Sequence, residues 1–181
     1  MSATAADRAR RAPAIPGQEL ATWVPVLGLC LLVFNDAVIK NHWPGVISGK
    51  LSDFAVVLYF PFLLTASWSL ASAALRAIGR KVLRRPFPPA PGLTRLRLLA
   101  GMALTTFALS AVNVSTRVRD LYLRLLDAID VLDLMPGFGY TVDPTDLVGL
   151  LCLPVVWWWG NRLIRAGAVT ECDTPEIAEP A

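Results

Sequence analysis

The sequence predicts an all-α integral membrane protein, with four transmembrane helices forming two parallel helical hairpins and a short amphipathic interfacial helix. Three observations carry this. The 181 residues are 55% hydrophobic and 17% charged, well under the quarter or so typical of soluble domains. Apolar runs recur at lengths of about 20 residues, enough at about 1.5 Å per residue to cross a hydrocarbon core of about 30 Å. The Lys and Arg residues lie between these runs and segregate by side.

Residues 1–18 are rich in Ala, Arg and Pro and show no apolar periodicity, as in a disordered cytoplasmic tail. Span one follows at residues 21–39, with Pro25 near its start and Asn35 and Asp36 in its last turns. Arg8, Arg10 and Arg11 before an apolar run could imitate a secretory signal, but no small-x-small cleavage site follows. An uncleaved span is expected. A short connection containing the single histidine, His42, leads to span two at residues 52–78, uncharged from Phe54 to Leu75. Ser and Ala crowd its second half, where they would let helices approach closely in lipid.

The next connection is basic, with Arg76, Arg80, Lys81, Arg84, Arg85, Arg95 and Arg97 around a Pro-rich middle. This reads as a topology signal beside anionic head groups. Nucleic acid is not an expected partner, since no aromatic interleaving or recognition motif accompanies the charge. Span three occupies residues 98–116. In the long connection after it, residues 121–135 have helical apolar spacing, with Asp127, Asp130 and Asp133 stepping by three. An interfacial helix with a solvated acidic face is expected. Span four covers residues 145–164, with Trp157, Trp158 and Trp159 as an interfacial belt. Residues 166–181 form a second, acidic tail. Residues 19–165 are thus the membrane domain.

Counting Arg162 and Arg165 with the last tail, 12 of the 17 Lys and Arg fall in the two tails and the central connection. The positive-inside rule then puts both termini in the cytoplasm of a bacterial inner membrane, and the first and third connections outside.

A repeat crosses this layout. Ser52-Asp53-Phe54 returns ninety-three residues later as Thr145-Asp146-Leu147, Tyr59 falls on Cys152, and Pro61 falls on Pro154. With four spans the two halves become parallel repeats. Asp53 and Asp146 are expected at one depth, facing each other across a pseudo-twofold axis. Asn35 and Asn113 also correspond, at the outer ends of spans one and three. The candidate site is therefore an outer polar cluster of Asn35, Asp36, Lys50, Ser52, Asp53, Asn113, Asp143, Thr145 and Asp146.

Three readings of this cluster compete. A hydroxyl residue followed by Asp suits a helix N-terminus, whose free N–H groups it accepts, and Asp143-Pro144 reads as an N-cap followed by a first-turn proline. Ionisable groups inside a bundle are otherwise a default sign of ion or lipid handling. The third reading is a salt bridge between repeats, for example Lys50 with Asp146. Pro61 and Pro154 are expected to kink their helices and free the carbonyls of Val57 and Leu150.

Other motifs fail. Residues 45–51 imitate a phosphate loop, but the glycine spacing is one short and Leu51 stands where Ser or Thr should bind magnesium. Cys30, Cys152 and Cys172 have no metal or disulfide spacing, so no metal and no cofactor are expected. A Ser52–His42–Asp arrangement is not specified by spacing.

The phrases Gly49-Lys50-Leu51-Ser52-Asp53-Phe54-Ala55 and Asp143-Pro144-Thr145-Asp146-Leu147 resemble those of a family of small, uncharacterised bacterial multi-pass membrane proteins. The resemblance implies the span order and carries no activity. A VanZ-like match would need a Lys after the Asp and a His beyond it, where this chain has Phe54 and no His. Two functions stay open. One is a non-enzymatic accessory, scaffold or small transport unit binding an ion, a lipid or a membrane-protein partner, including a second copy. The other is a membrane-embedded enzyme acting on a lipid-linked or envelope substrate through Asp53 and Asp146.

Overall fold

The computed structural model describes residues 15–42, 45–83, 92–129 and 143–172. Among these residues every regular element is a helix. Four stretches are long and apolar enough to cross a membrane: Trp23–His42, Ile47–Val82, Arg95–Val114 and Pro144–Ala166. We label the helices α1 (Trp23–Phe34), α2 (Val46–Leu83), α3 (Arg95–Val114), α4 (Thr116–Ile129) and α5 (Leu153–Cys172). A π-helical turn, Asn35–Ile39, carries α1 on into Lys40–His42, and a 3-10 segment, Pro144–Cys152, leads into α5.

The organising element is α2. Its 38 residues span about 57 Å at about 1.5 Å per residue, so its ends outreach a hydrocarbon core of about 30 Å. Span two was expected to start at residue 52. Instead the helix starts at Val46, because Ser48, Gly49 and Lys50 continue the helical path. Its far end runs through the basic residues Arg80 and Lys81, which suit the negative end of a helix dipole.

Each of the other spans reaches α2 through a glycine. A Cβ at Gly28 would come 2.9 Å from the Ala55 carbonyl oxygen, and one at Gly101 2.8 Å from the Pro61 carbonyl oxygen. At Gly149 it would come 2.9 Å from the Asp53 carbonyl carbon. These are the small-residue approaches that helix packing in lipid favours. The Ser- and Ala-rich half of α2 does less than expected: Ser69 is buried, but Trp68, Leu70 and Leu75 are exposed. Every span contributes to the core, which gathers Val24, Leu58, Phe62, Leu98 and Val156.

Other boundaries also moved. The interfacial helix, expected at 121–135, is α4 and starts at Thr116. Arg117, Arg119 and Asp120 belong to its first turns, because Ser115 breaks α3 with extended backbone and its Oγ accepts from the Val118 amide at 3.4 Å. Residues 130–135, with Asp130 and Asp133, lie outside the described residues. At the chain start, Gly17 (φ 85°) opens a 3-10 turn, Gln18–Ala21, against Ala66 and Leu70, so order begins before residue 19. Residues 1–14 lie outside the described part. At the other end α5 continues to Cys172, beyond the expected boundary at 165.

Candidate functional site

One end of the set of spans carries the polar cluster. At Asn35 the helix changes from α to π: its amide donates to the carbonyls of Leu31 and Leu32, and its own carbonyl accepts from the Lys40 amide. Such π turns occur often at functional sites. The Asn35 side chain is fully buried and turns into α2. Its Nδ2 donates to the Ser48 carbonyl at 2.9 Å and to Ser52 Oγ at 2.7 Å.

Asp53 sits about two turns inside α2, so the capping reading fails for Ser52 and Asp53. It is 6% exposed and lies under Gly149. Among the described residues, three buried side-chain oxygens have no hydrogen-bond partner: Asn35 Oδ1, Ser48 Oγ and Asp53 Oδ2. The Asn35 oxygen can only accept, and so can that of Asp53 while its carboxyl is ionised. Leaving such atoms bare in a low-dielectric interior costs free energy.

The second motif copy behaves differently. Asp143 caps the 3-10 segment, with Oδ1 accepting from the Thr145 amide at 2.9 Å and the Thr145 hydroxyl at 2.8 Å. These bonds hold its carboxyl below the usual carboxylate range. Capping is therefore right for this copy. Lys50 reaches across from α2, donating to Thr145 Oγ1 at 2.6 Å and pairing with Asp146 Oδ1 at 3.5 Å. The expected Lys50–Asp146 bridge is present. Asp146 lies with Lys50, and Gly149, three residues on, packs against the Asp53 backbone.

Asn113 is buried and donates to the Leu109 carbonyl at 3.1 Å. It stands twelve residues beyond Gly101, about 18 Å along α3. Contacts descend α2 as they ascend α3, from Arg97–Ser69 to Gly101–Pro61. Asn113 therefore reaches the Gly49 to Asp53 level of α2. Asp36 stays apart, paired on the surface with Lys40 at 2.5 Å.

The proline expectation divides. Pro61 is buried inside α2 and lacks the donor for the Val57 carbonyl. Pro154 frees nothing, because the Leu150 carbonyl accepts from the Leu153 amide where the 3-10 segment meets α5.

Two arrangements escaped the sequence reading. Ser48 and Gly149 complete the site around Asn35 and Asp53. Isolated glycines in apolar helices were a usable signal of close approach. At the other end of the bundle Glu19 is buried. Its Oε1 accepts from Ser69 Oγ at 3.5 Å, and Arg97 Nη1 donates to that Oγ at 3.4 Å. Beside it the Trp triplet splits. Trp159 Nε1 donates to Thr22 Oγ1 at 2.9 Å and its ring meets Trp23 edge-on, while Trp157 and Trp158 stay exposed. The hydrophobic core separates this cluster from the first one.

Ser52 and His42 are each engaged separately. Ser52 Oγ is engaged by Asn35, and His42 Nδ1 lies 2.9 Å from the Val38 carbonyl of its own helix. Among the described residues no group of three or more His, Cys, Asp or Glu could hold a metal ion. No family model, curated protein or solved structure matches the chain.

Proposed function

We propose that this is a non-enzymatic membrane protein that binds a small cation, an alkali ion or a proton, at the outer face of a four-span bundle. One observation carries the reading: Asp53 is buried and its Oδ2 has no hydrogen-bond partner among the described residues, and Asn35 and Ser48 near the same end of the spans also bury unpartnered oxygens. A buried carboxylate on the stretch of α2 that also carries hard oxygen acceptors suits a hard cation of low charge. Lys50, tied to Thr145 and Asp146, closes the surface side. The apolar core below makes the site a dead end, which favours binding over conduction.

The topology belongs to the same proposal. Contacts of α1 and α3 descend α2 as they ascend their own helices, from Gly28–Ala55 to Asn35–Ser48 and from Arg97–Ser69 to Gly101–Pro61. Contacts of the span-four entrance ascend with α2, from Lys50–Asp146 to Asp53–Gly149. This alternation supports two parallel hairpins, and the charge bias supports cytoplasmic termini in a bacterial inner membrane. The enzyme alternative loses ground because Asp53 is covered by Gly149 and Asp146 is engaged by Lys50.

The test is thermal melting of the purified protein in detergent, titrated with Na+, K+, Li+ or protons at constant ionic strength. A ligand bound only by the folded state stabilises it by about 2.7 kcal/mol at 100 times its Kd. A selective rise that disappears in Asp53→Asn is expected. A melting temperature indifferent to every cation and to pH, or one that responds equally in Asp53→Asn, would overturn the reading.

A further inference from the structure

The helix α4 has an exposed apolar strip. Val118, Leu121 and Leu125 are exposed along one side, and among the described elements the helix has substantial contacts only with α3. At 100° per residue, Arg117 and Arg124 fall together on one edge of this face. Asp120 and Asp127 lie on the opposite side, farthest from the apolar strip. Arg119 flanks the other edge and is taken by Asp120 at 2.7 Å. Among the described residues no acid pairs with Arg117 or Arg124.

The order around the helix is thus apolar, basic, acidic. That order matches a membrane surface met in depth, with acyl chains first, phosphates next and water last. A face made for a second copy of the chain has no need of arginines at the phosphate level and acids behind them. Position agrees, since only Ser115 separates α4 from the end of a membrane-length helix.

We propose that α4 is a docking strip for anionic phospholipid, with Arg117 and Arg124 contacting head-group phosphates. The proposal rests on the membrane reading and not on cation binding at Asp53. Each arginine at such a surface is worth about fivefold in lipid preference.

The test uses the full chain in mixed micelles of phosphatidylglycerol and phosphatidylcholine, with retained lipid counted by native mass spectrometry. The wild type should retain phosphatidylglycerol preferentially, and Arg117→Gln/Arg124→Gln should lose about fivefold of that preference per arginine. Should this variant fail to fold, the wild-type melting temperature against phosphatidylglycerol fraction decides, and it should rise with the anionic lipid alone. Three outcomes would overturn the proposal: no preference in the wild type, full preference in the variant, or a wild-type oligomer that Leu121→Ser/Leu125→Ser dissolves. The last would assign the face to a second copy. Neither arm involves Asp53, so a failed cation titration leaves this result intact.

Discussion

Gly149 presses on the backbone of Asp53, so closely that a Cβ at position 149 would lie 3.0 Å from both the Asp53 Cβ and its carbonyl oxygen. The two motif copies are therefore in contact, one covering the other. Gly149→Ala should force the span-four entrance away from α2 and destabilise the protein by about 1–3 kcal/mol, the usual range for overpacking. Gly49 is the control, because a Cβ there meets nothing within 4 Å. Gly49→Ala should be neutral or should stabilise α2 by about 0.5–1 kcal/mol. Melting in detergent compares the two, and equal effects would mean that the contact is not tight.

Asp53 should be a site where function opposes stability. An isosteric amide removes the charge and keeps the volume. Asp53→Asn should therefore raise stability by about 0.5–2 kcal/mol while abolishing the cation response. A lower melting temperature for Asp53→Asn would mean that the carboxylate stabilises the fold through a partner, which contradicts its bare Oδ2.

Asn35 is the main polar link between α1 and α2. Asn35→Ala loses both of its bonds to α2 and should cost about 1–3 kcal/mol, toward the lower end because membrane hydrogen bonds are individually modest. Asn35→Asp should be worse, since a carboxylate would face the Ser48 carbonyl with no donor. Unfolding of both variants by denaturing detergent measures this order, and Asn35→Asp matching the wild type would refute it.

The Lys50–Asp146 pair is partly covered, with side-chain exposures of 28% and 16%. A double-mutant cycle with Lys50→Met and Asp146→Asn should give a coupling of about 0.5–1 kcal/mol that weakens with salt. Additive effects would show that the two side chains do not interact in solution.

The sequence was most legible where length and composition decide. Four apolar runs became four membrane-length helices because no soluble packing needs runs of that kind. Boundaries failed where a polar residue was read as a stop. Gly49 and Lys50 looked like a loop yet lie inside α2, since a long lysine can leave a helix side and reach Thr145. Arg117 to Asp120 looked like a span end yet open α4, because one extended residue, Ser115, suffices to restart a helix. The Ser/Thr-Asp repeat predicted two equivalent caps. Only the copy with a proline at the first helical position has one, at Asp143. The other copy was drawn into the bundle by an earlier helix start, and period alone does not reveal where a helix begins. Ser48 and Glu19 were missed because tertiary burial of a single polar residue leaves no local signature.

Asp143 provides a cap whose strength depends on pH. Its carboxyl is held below the usual value of 3.8 by the Thr145 amide and hydroxyl. A carboxylate depressed in the folded state stabilises it at pH values above the unfolded one, and that stabilisation fades as pH falls through the folded value. At neutral pH, Asp143→Ala should lower the melting temperature, whereas Asp143→Asn keeps an acceptor oxygen for Thr145 and should lower it less. Below about pH 3.8 the wild type should converge on Asp143→Ala, because protonation weakens the same bonds that the alanine removes. The difference in melting temperature between the two proteins is therefore the quantity to follow. A gap that stays constant from pH 7 down to pH 3 would mean that the charge of Asp143 contributes nothing to the cap.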